Sequence, residues 1–495
     1  MTVEASRKTG LLGPVAVFGG VLLLLAAPIM RGGNRYLALI PLEMLGLVVL
    51  SGVWMRWLLV RPQPEADSLF RRLLLLLLAA SPLLIALVQL LPLPADTWAA
   101  LPGHSIYVET LKAAGATTEM TRPLSLAPLA TAASMLAGIP IVAGLLLGYM
   151  ASMAQLRLIL WAVVAMAFAQ VLLGLLQVAG GEHSQFFFGV MTFGPPVGSF
   201  ANRNHFANYL AMALVAYAWL AYENLRGRGA PNAMSAFTTR HRLALWGTGA
   251  MVLVLGILMS RSRGGALFGL PAAMLALAAI SLRMNGLTRG LRLAGSLLVV
   301  LIVAAVALLG YEAATSRVTM DQLASSAGFR SALARTSFEG GMAFWPWGSG
   351  WGTFDMVYPR FQPASLPGFA NHAHMDYVQM LFEGGILFVA FAIVFAWLAI
   401  QRAIQLAARA VRERRLGREA MAAAICGLGL LGLLLHSLVE FNMRIPANAI
   451  LGAVLAGAYL RPLNRSTRHR SRASKWAHTE PSSEFDSQRD SGTSR

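Results

Sequence analysis

The chain alternates between long apolar runs and short polar connections. A helical run of roughly 20 apolar residues is long enough to cross a bilayer. The pattern therefore predicts an all-α, polytopic integral membrane protein of about 12 transmembrane helices. They lie at roughly 11–30, 36–54, 73–93, 129–150, 156–180, 204–221, 242–260, 264–282, 292–311, 376–400, 419–438 and 443–460.

Polar stretches divide this pattern. Residues 94–128 and 312–375 are predicted to be loops on the outer side, and the second is rich in Gly, Pro and aromatic residues. The tail, 463–495, has few hydrophobic residues, which is typical of disorder. We predict a nine-helix N-terminal bundle over 1–311, a long periplasmic loop over 312–375, three helices over 376–462, and a disordered cytoplasmic tail.

Composition supports a membrane protein. Of the 495 residues, 57% are hydrophobic and 13% are charged, whereas soluble domains carry about 25% charged residues. A soluble enzyme, a nucleic-acid-binding protein and a disordered scaffold are therefore poor interpretations. The net charge of +18 is better explained by topology. With a cytoplasmic N-terminus, the inner segments before Arg461 hold 20 Lys and Arg residues and the outer segments hold 12, which predicts both termini in the cytoplasm.

The outstanding polar clusters all fall at the predicted outer ends of helices. Ionisable side chains at membrane depth are costly and are therefore candidates for function. The first cluster opens the sixth predicted helix with Asn202, Arg203, Asn204 and His205, which could bind an anionic or polyhydroxylated ligand. Helix capping by either asparagine is an equally good interpretation.

The second cluster, Ser-Arg-Ser-Arg-Gly-Gly over 260–265, places Arg261 and Arg263 before the next helix. Guanidinium groups at a helix N-terminus favour phosphate binding, although a plain hairpin touching lipid headgroups would also fit. Farther along, Arg330 precedes the run Trp345–Phe354, in which glycines alternate with aromatic residues. This run could offer aromatic faces to sugar rings or anchor the chain at the membrane interface.

The fourth cluster contains two candidate bases, His372 and His374. A histidine is a natural general base near neutral pH. The His-x-His-x-Asp spacing also suggests a metal, but a further metal-ligating histidine would be needed and Tyr377 stands in its place. Helical periodicity favours His372, whereas a loop conformation would free His374, and the sequence alone does not decide between them. The helical interpretation aligns four polar residues that should face the bundle interior, namely His372, Asp376, Gln379 and Glu383.

The fifth cluster lies between the last two predicted helices. It reads His-Ser-Leu-Val-Glu-Phe-Asn-Met-Arg-Ile-Pro-Ala-Asn over 436–448. Structural roles at the helix ends and direct contact with a ligand are equally compatible with this cluster.

Taken in order, these five clusters resemble the O-antigen ligase and polymerase superfamily of bacterial envelope glycosyltransferases. The resemblance covers about residues 190–450 and implies a GT-C-like membrane enzyme of the bacterial inner membrane. Such enzymes transfer a glycan from an undecaprenyl-diphosphate carrier to an acceptor hydroxyl at the periplasmic face, without a metal or other cofactor. The resemblance also implies that His374 is the essential histidine and that Arg263 and Arg330 bind the diphosphate, with Arg261 and Arg203 as helpers.

Three functions follow as hypotheses. The first is an O-antigen ligase, which joins a glycan to lipid A-core or another glycan acceptor. The second is a polymerase, for which the acceptor is a second carrier-linked repeat unit. The third is a twelve-helix transporter, which the one-sided clusters and the long outer loop disfavour. The expected partners are the lipid-linked donor, the acceptor and membrane lipid, with no nucleic acid.

Overall fold

The computed structural model describes residues 12–59, 69–189, 194–226, 239–281, 317–366, 368–413 and 416–463. These residues are mostly helical. The helices are α1 Pro14–Ala26, α2 Ile29–Gly32, α3 Tyr36–Leu59, α4 Leu69–Gln89, α5 Ala95–Ala99, α6 Ser105–Ala113, α7 Pro128–Met150, α8 Met153–Ala179, α9 Arg203–Arg226, α10 Thr239–Met259, α11 Leu270–Ser281, α12 Arg317–Ala343, α13 Phe354–Val357, α14 Asp376–Glu413, α15 Arg418–His436 and α16 Pro446–Leu460.

Helices occupy eleven of the twelve predicted membrane positions. The remaining position, 292–311, lies outside the described residues. Among the described residues, six helices are long and apolar enough to cross a membrane, namely α3, α7, α8, the His241–Met259 part of α10, α14 and α15. Other apolar helices, including α1 and α16, are shorter. The prediction of a helical membrane protein therefore agrees with the structure, while the number of twelve spans stays a prediction.

The core of the helical unit is built around α9 and α16, both of which are almost entirely buried. Small residues let α16 pack closely against α7. A Cβ atom added at Gly148 would lie 1.9 Å from the Val454 carbonyl oxygen, and one added at Gly457 would lie 2.0 Å from that of Leu145. These glycines thus permit direct backbone contact, a packing mode that helices in membranes use often.

The region predicted to be a long outer loop contains substantial helical structure. Helix α12 occupies Arg317–Ala343, within the predicted loop 312–375. The segment contains five Ala and three Arg residues, which favour helices, but it lacks the uniform apolarity on which the membrane-helix prediction depends. The other predicted loop, 94–128, contains α5 and α6 and is closed by antiparallel pairing of Pro92–Leu93 with Arg122–Pro123.

Helix α14 is interrupted at Gly385, whose φ of 51° and ψ of −137° are not helical. The amide of the next residue, Ile386, donates a hydrogen bond to the Pro346 carbonyl oxygen at 2.7 Å. A Cβ atom at position 385 would lie 2.2 Å from that same oxygen. Glycine is therefore required here both by its backbone angles and by the close approach of the segment that follows α12.

Arginines stabilise the end of the helical unit at which α16 terminates. Arg402 is buried and donates to the carbonyl oxygens of Leu460 and Arg461 at 2.8 and 2.7 Å. Arg461 in turn donates to the Ala151 carbonyl oxygen at 3.0 Å. Cations at helix C-termini neutralise the partial negative charge of the unpaired carbonyl groups. This arginine-rich end is the one that the charge distribution assigns to the cytoplasm.

Two compact units divide the chain, Met1–Arg461 and Pro462–Arg495. The first contains every helix described above. Apart from its first two residues, the second lies outside the described residues, as do the predicted domain boundary at 311 and the predicted disordered tail.

Candidate functional site

A single buried carboxylate, Glu440, joins several of the clusters found in the sequence. It lies between α15 and α16, and its side chain exposes 1% of its surface. Its Oε1 atom lies 2.7 Å from Nδ1 of His374, and its Oε2 atom accepts a hydrogen bond from the side-chain amide of Asn204. Arg330 completes the group, with Nη2 3.4 Å from Oε2. The first, fourth and fifth sequence clusters and Arg330 therefore meet at one residue.

The surroundings of Glu440 keep it ionised. Burial by itself raises the pKa of this carboxyl, since it disfavours the charged form. The hydrogen bond and charge of His374, together with the charges of His205 and Arg330, outweigh burial and lower the pKa to about 2. A carboxylate is therefore present beside His374 throughout the physiological pH range.

His374 has the geometry expected of an oriented base. It lies in the turn before α14 with φ at 51°, a value that few residues other than glycine adopt. In the neutral ring, a proton on Nδ1 can be donated to the Glu440 carboxylate, which leaves Nε2 as the acceptor. The side chain exposes 26% of its surface. Its free nitrogen can thus receive a proton from a substrate.

His372 is placed differently. Its ring stacks on Phe441 with centroids 4.1 Å apart, and Nδ1 lies 3.3 Å from Oε1 of Gln379. Burial, assisted by the charge of Arg444, lowers the pKa of His372 to about 4, so the ring is neutral near pH 7. His372 thus contacts an amide and an aromatic ring, whereas His374 contacts a carboxylate.

Three residues of the predicted polar stripe, His372, Gln379 and Glu383, are connected by hydrogen bonds, whereas Asp376 binds elsewhere. Helix α14 begins at Asp376, so His372 lies before the helix and not on its face. Gln379 nevertheless connects His372 to Glu383, since its Nε2 donates to Oε1 of Glu383 at 3.1 Å. Glu383 forms an ion pair with Arg444. Asp376, Gln379 and Glu383 are buried, as the helical periodicity predicts. Gln379 also contacts His372 and the Ala373 amide and thereby stabilises the turn that carries both histidines.

Four arginines lie around the open side of the Glu440 group. Arg203, Arg261 and Arg263 are exposed, as is Arg330, and the charges of the other three act on Arg203. Mutual repulsion makes such a group unfavourable unless an anion lies among its members. The structure thus brings together the four residues predicted to bind a diphosphate.

Ser262 connects these arginines to the Glu440 group. Its hydroxyl oxygen accepts a hydrogen bond from the Gly265 amide at 3.1 Å and thereby caps the helix that follows. The same hydroxyl donates to Oδ1 of Asn204 at 2.8 Å. The short turn is therefore the beginning of a helix, as predicted, and its position is fixed relative to α9.

The remaining predicted residues have structural contacts. The Asn202 side chain accepts a hydrogen bond from the backbone amide of Asn204 at 2.8 Å, which supports its capping role. His205 is buried, and its ring lies against Phe441. Asp376 accepts from the Met443 amide at 2.8 Å. Tyr377 donates to the Leu434 carbonyl oxygen at 2.8 Å.

Two buried glutamines of α8 position the segment that leads into α9, and neither is among the residues predicted from the sequence. Gln177 accepts hydrogen bonds from the amides of Val197 and Gly198 at 2.9 and 3.0 Å. Gln170 accepts from the Ser199 amide at 2.8 Å. A lone glutamine in an apolar run was the available signal, because an amide inside a membrane protein needs partners.

The segment of alternating glycine and aromatic residues packs against α14. The Trp351 amide donates to Oε1 of Gln89 at 2.7 Å, and the Gly352 amide donates to Oε2 of Glu383 at 2.9 Å. The Arg444 guanidinium lies 4.9 Å from the centre of the Trp351 ring. Trp345 and Trp347 remain exposed, which is consistent with anchoring at the membrane interface.

The three potential metal ligands of the His-x-His-x-Asp motif bind different partners. His372 contacts Gln379, His374 contacts Glu440, and Asp376 contacts the Met443 amide. Within the part of the chain that the structure describes, no group of three or more His, Cys, Asp or Glu side chains is arranged to hold a metal ion.

Residues 248–393 match the family model described as O-Antigen ligase. The match confirms the resemblance to the O-antigen ligase superfamily. Together with the apolar helices, it supports an integral membrane glycosyltransferase of the O-antigen ligase or polymerase type, without distinguishing the two. Arg263, Arg330 and His374 lie inside the matched region, whereas Asn204 and Glu440 lie outside it. No curated protein matches the chain.

Proposed function

We propose that the protein is an O-antigen ligase that transfers a glycan from undecaprenyl diphosphate to an acceptor hydroxyl, with lipid A-core as the acceptor. The observation that carries this proposal is the position of His374. Its ring is held by the Glu440 carboxylate at 2.7 Å, beside a group of four arginines. An oriented base next to an anion-binding group is the combination that glycosyl transfer from a lipid diphosphate requires.

In the proposed reaction, Nε2 of His374 accepts the proton of the acceptor hydroxyl as its oxygen attacks the anomeric carbon. The bond between that carbon and the diphosphate oxygen breaks, and the electron pair leaves with the carrier diphosphate. Attack from the face opposite the leaving group inverts the anomeric centre. Glu440 stabilises the imidazolium that forms, as the carboxylate of a catalytic triad does.

The arginines would bind the donor. Negative charge grows on the diphosphate as the sugar–phosphate bond breaks, and guanidinium groups placed beforehand stabilise that charge. Arg263 and Arg330 are the principal candidates, with Arg261 and Arg203 beside them. Arg330 has a second role in this scheme, since it also contacts Glu440 and thereby couples the donor side to the base.

The proposed location is the bacterial inner membrane, with the site at the periplasmic face and both termini in the cytoplasm. The sequence clusters assigned to the outer side are in contact with one another at one end of the unit, which supports this orientation. The arginine contacts of Arg402 and Arg461 lie at the other end. This distribution agrees with the excess of basic residues on the cytoplasmic side of membrane proteins.

A deletion strain tests the choice of acceptor. Loss of all long lipopolysaccharide chains, with carrier-linked polymer accumulating, would support a ligase. Lipopolysaccharide consisting of core plus a single repeat would instead identify a polymerase and overturn the ligase assignment. An unchanged lipopolysaccharide pattern would contradict both.

Complementation of that strain tests the base. We expect His374→Ala to abolish transfer while the protein still inserts in the membrane, because the proton acceptor is lost and no buried volume is removed. His372→Ala should retain more activity. An active His374→Ala variant beside an inactive His372→Ala variant would show that the assignment of the base is wrong.

A further inference from the structure

A groove opens at the end of the helical unit opposite the candidate site. It has a volume of about 580 Å³ and is bordered by the beginnings of α1 and α8 and the end of α3. The far end of α8 carries Gln177, which binds the segment leading to the site. The two regions are therefore separated by the length of α8.

The groove is apolar apart from two side chains. Val17, Phe18, Val21 and Leu158 form much of its wall, and Phe18 exposes 67% of its surface. One polar residue, Gln155, is already occupied, because its Nε2 donates to the Leu12 carbonyl oxygen and its Oε1 accepts from the Ser152 amide. The other polar residue is Arg56.

Among the residues that the structure describes, Arg56 has no partner for its charge. Its Nε atom is buried and makes no hydrogen bond, and no carboxylate of the described residues pairs with its guanidinium group. A buried donor without a partner is unfavourable, and the cost is greater when the group is charged. This residue is therefore well suited to bind an anion from outside the protein.

We propose that the groove binds an anionic glycerophospholipid of the cytoplasmic leaflet. The phosphodiester would accept hydrogen bonds from Arg56, and an acyl chain would lie along Val17, Phe18, Val21 and Leu158. Basic pockets between membrane helices on the cytoplasmic side are suited to lipid phosphates. The volume lies within the range of ordinary ligand sites. A soluble anion would leave the apolar wall uncovered, which favours a lipid.

The lipid site has a direct structural connection to the glycan-transfer site. Helix α1 begins at the groove, and beyond its far end the Pro28 carbonyl oxygen accepts a hydrogen bond from the Ser199 hydroxyl. Ser199 lies four residues before Arg203. A lipid that stabilises the beginning of α1 would also stabilise this contact. The proposal itself concerns lipid binding and does not depend on the reaction.

Native mass spectrometry of the full chain tests the proposal, with palmitoyl-oleoyl phosphatidylglycerol and phosphatidylcholine as probes. We expect the wild-type protein to retain phosphatidylglycerol in preference to phosphatidylcholine. Arg56→Gln should weaken retention of phosphatidylglycerol at least tenfold, which corresponds to about 1.4 kcal/mol. Arg157→Gln is the matched control, because Arg157 is exposed near the same end of α8 but does not line the groove, and we expect no change.

A second variant separates groove filling from loss of charge. Val21→Trp keeps Arg56 but places a large ring in the groove, and it should also reduce phosphatidylglycerol retention. Equal retention by wild type and Arg56→Gln, or equal retention of the two lipids by wild type, would overturn the proposal. Retention that requires deletion of residues 2–11 would assign the groove to the chain's own N-terminal segment and would also overturn it.

Discussion

Replacement of Glu440 by glutamine is the most informative single change, because it preserves the shape of the side chain while removing its charge. In the native site both carboxylate oxygens face donors, with His374 on one side and Asn204 and Arg330 on the other. A glutamine must present its NH₂ group toward one of these sides. At least one donor therefore loses its acceptor, and the imidazolium formed during reaction loses its counter-charge.

The magnitude follows from the 2.7 Å contact between His374 and Glu440. A hydrogen bond to a charged group contributes about 1.5–3 kcal/mol. If that contribution is made mainly in the transition state, its loss slows the reaction by about 10- to 150-fold. We expect Glu440→Gln to lower kcat by this factor. Because Arg330 also contacts Glu440, KM for the donor should rise by a smaller factor.

The assay is transfer by purified protein from a lipid-linked donor, with kcat and KM determined separately over a range of pH. Thermal unfolding of the same preparations reports whether the fold is retained. Glu440→Asp is the matched variant, since it keeps the charge but moves it away from His374, and it should retain more activity than Glu440→Gln. A folded Glu440→Gln variant with kcat within twofold of wild type would refute the reasoning.

Three further predictions concern neighbouring residues. Arg263→Lys and Arg330→Lys should each lose most activity through weaker donor binding, because guanidinium binds phosphate in a fork and ammonium does not; near-full activity of both would contradict the diphosphate assignment. The lowered pKa of His372 means that the folded state favours the neutral ring. The stabilisation from burying this neutral ring is present above the unfolded pKa of about 6.5, and it is lost progressively as the pH falls toward 4. His372→Gln should remove this part of the pH dependence of the unfolding temperature. An unchanged pH dependence in this variant would contradict the role assigned to buried, neutral His372. Transfer should proceed in excess EDTA without ATP, whereas activity lost on chelation and restored by one divalent ion would restore the metal interpretation of His372, His374 and Asp376.

Hydrophobic patterning predicts this fold well where lipid contact shapes the sequence. Eleven of the twelve predicted helices have counterparts, because long apolar runs reflect the thickness of the bilayer. Helix α12 was missed for the same reason. It has no long apolar run, and it packs against α14 with small residues such as Gly340 and Gly341, which lie close to Phe382.

Many residues of the candidate site were predictable, but Glu440 was not singled out and the connections between the residues were not predicted. Periodicity identified the stripe that connects His372 to Glu383, and loop geometry identified the freedom of His374. The central position of Glu440 could not be read from spacing, since its partners lie 66, 110 and 236 residues away in the chain. Such contacts depend on how the ends of α9, α14 and α15 meet the middle of α12, which is a property of tertiary packing.

The distribution of the site over the chain explains why a local motif cannot account for its chemistry. His374 and the arginines at 263 and 330 lie in the region that matches the O-antigen ligase family, yet the carboxylate that orients His374 does not. Asn204 is also outside that region, and it connects Glu440 to Ser262 at the beginning of the arginine turn. The positions of His374 and of the turn that carries Arg261 and Arg263 are therefore fixed by residues on both sides of the matched region. Since catalysis by positioned groups is sensitive to displacements of about 1 Å, the geometry proposed for transfer requires the helices on both sides of residues 248–393.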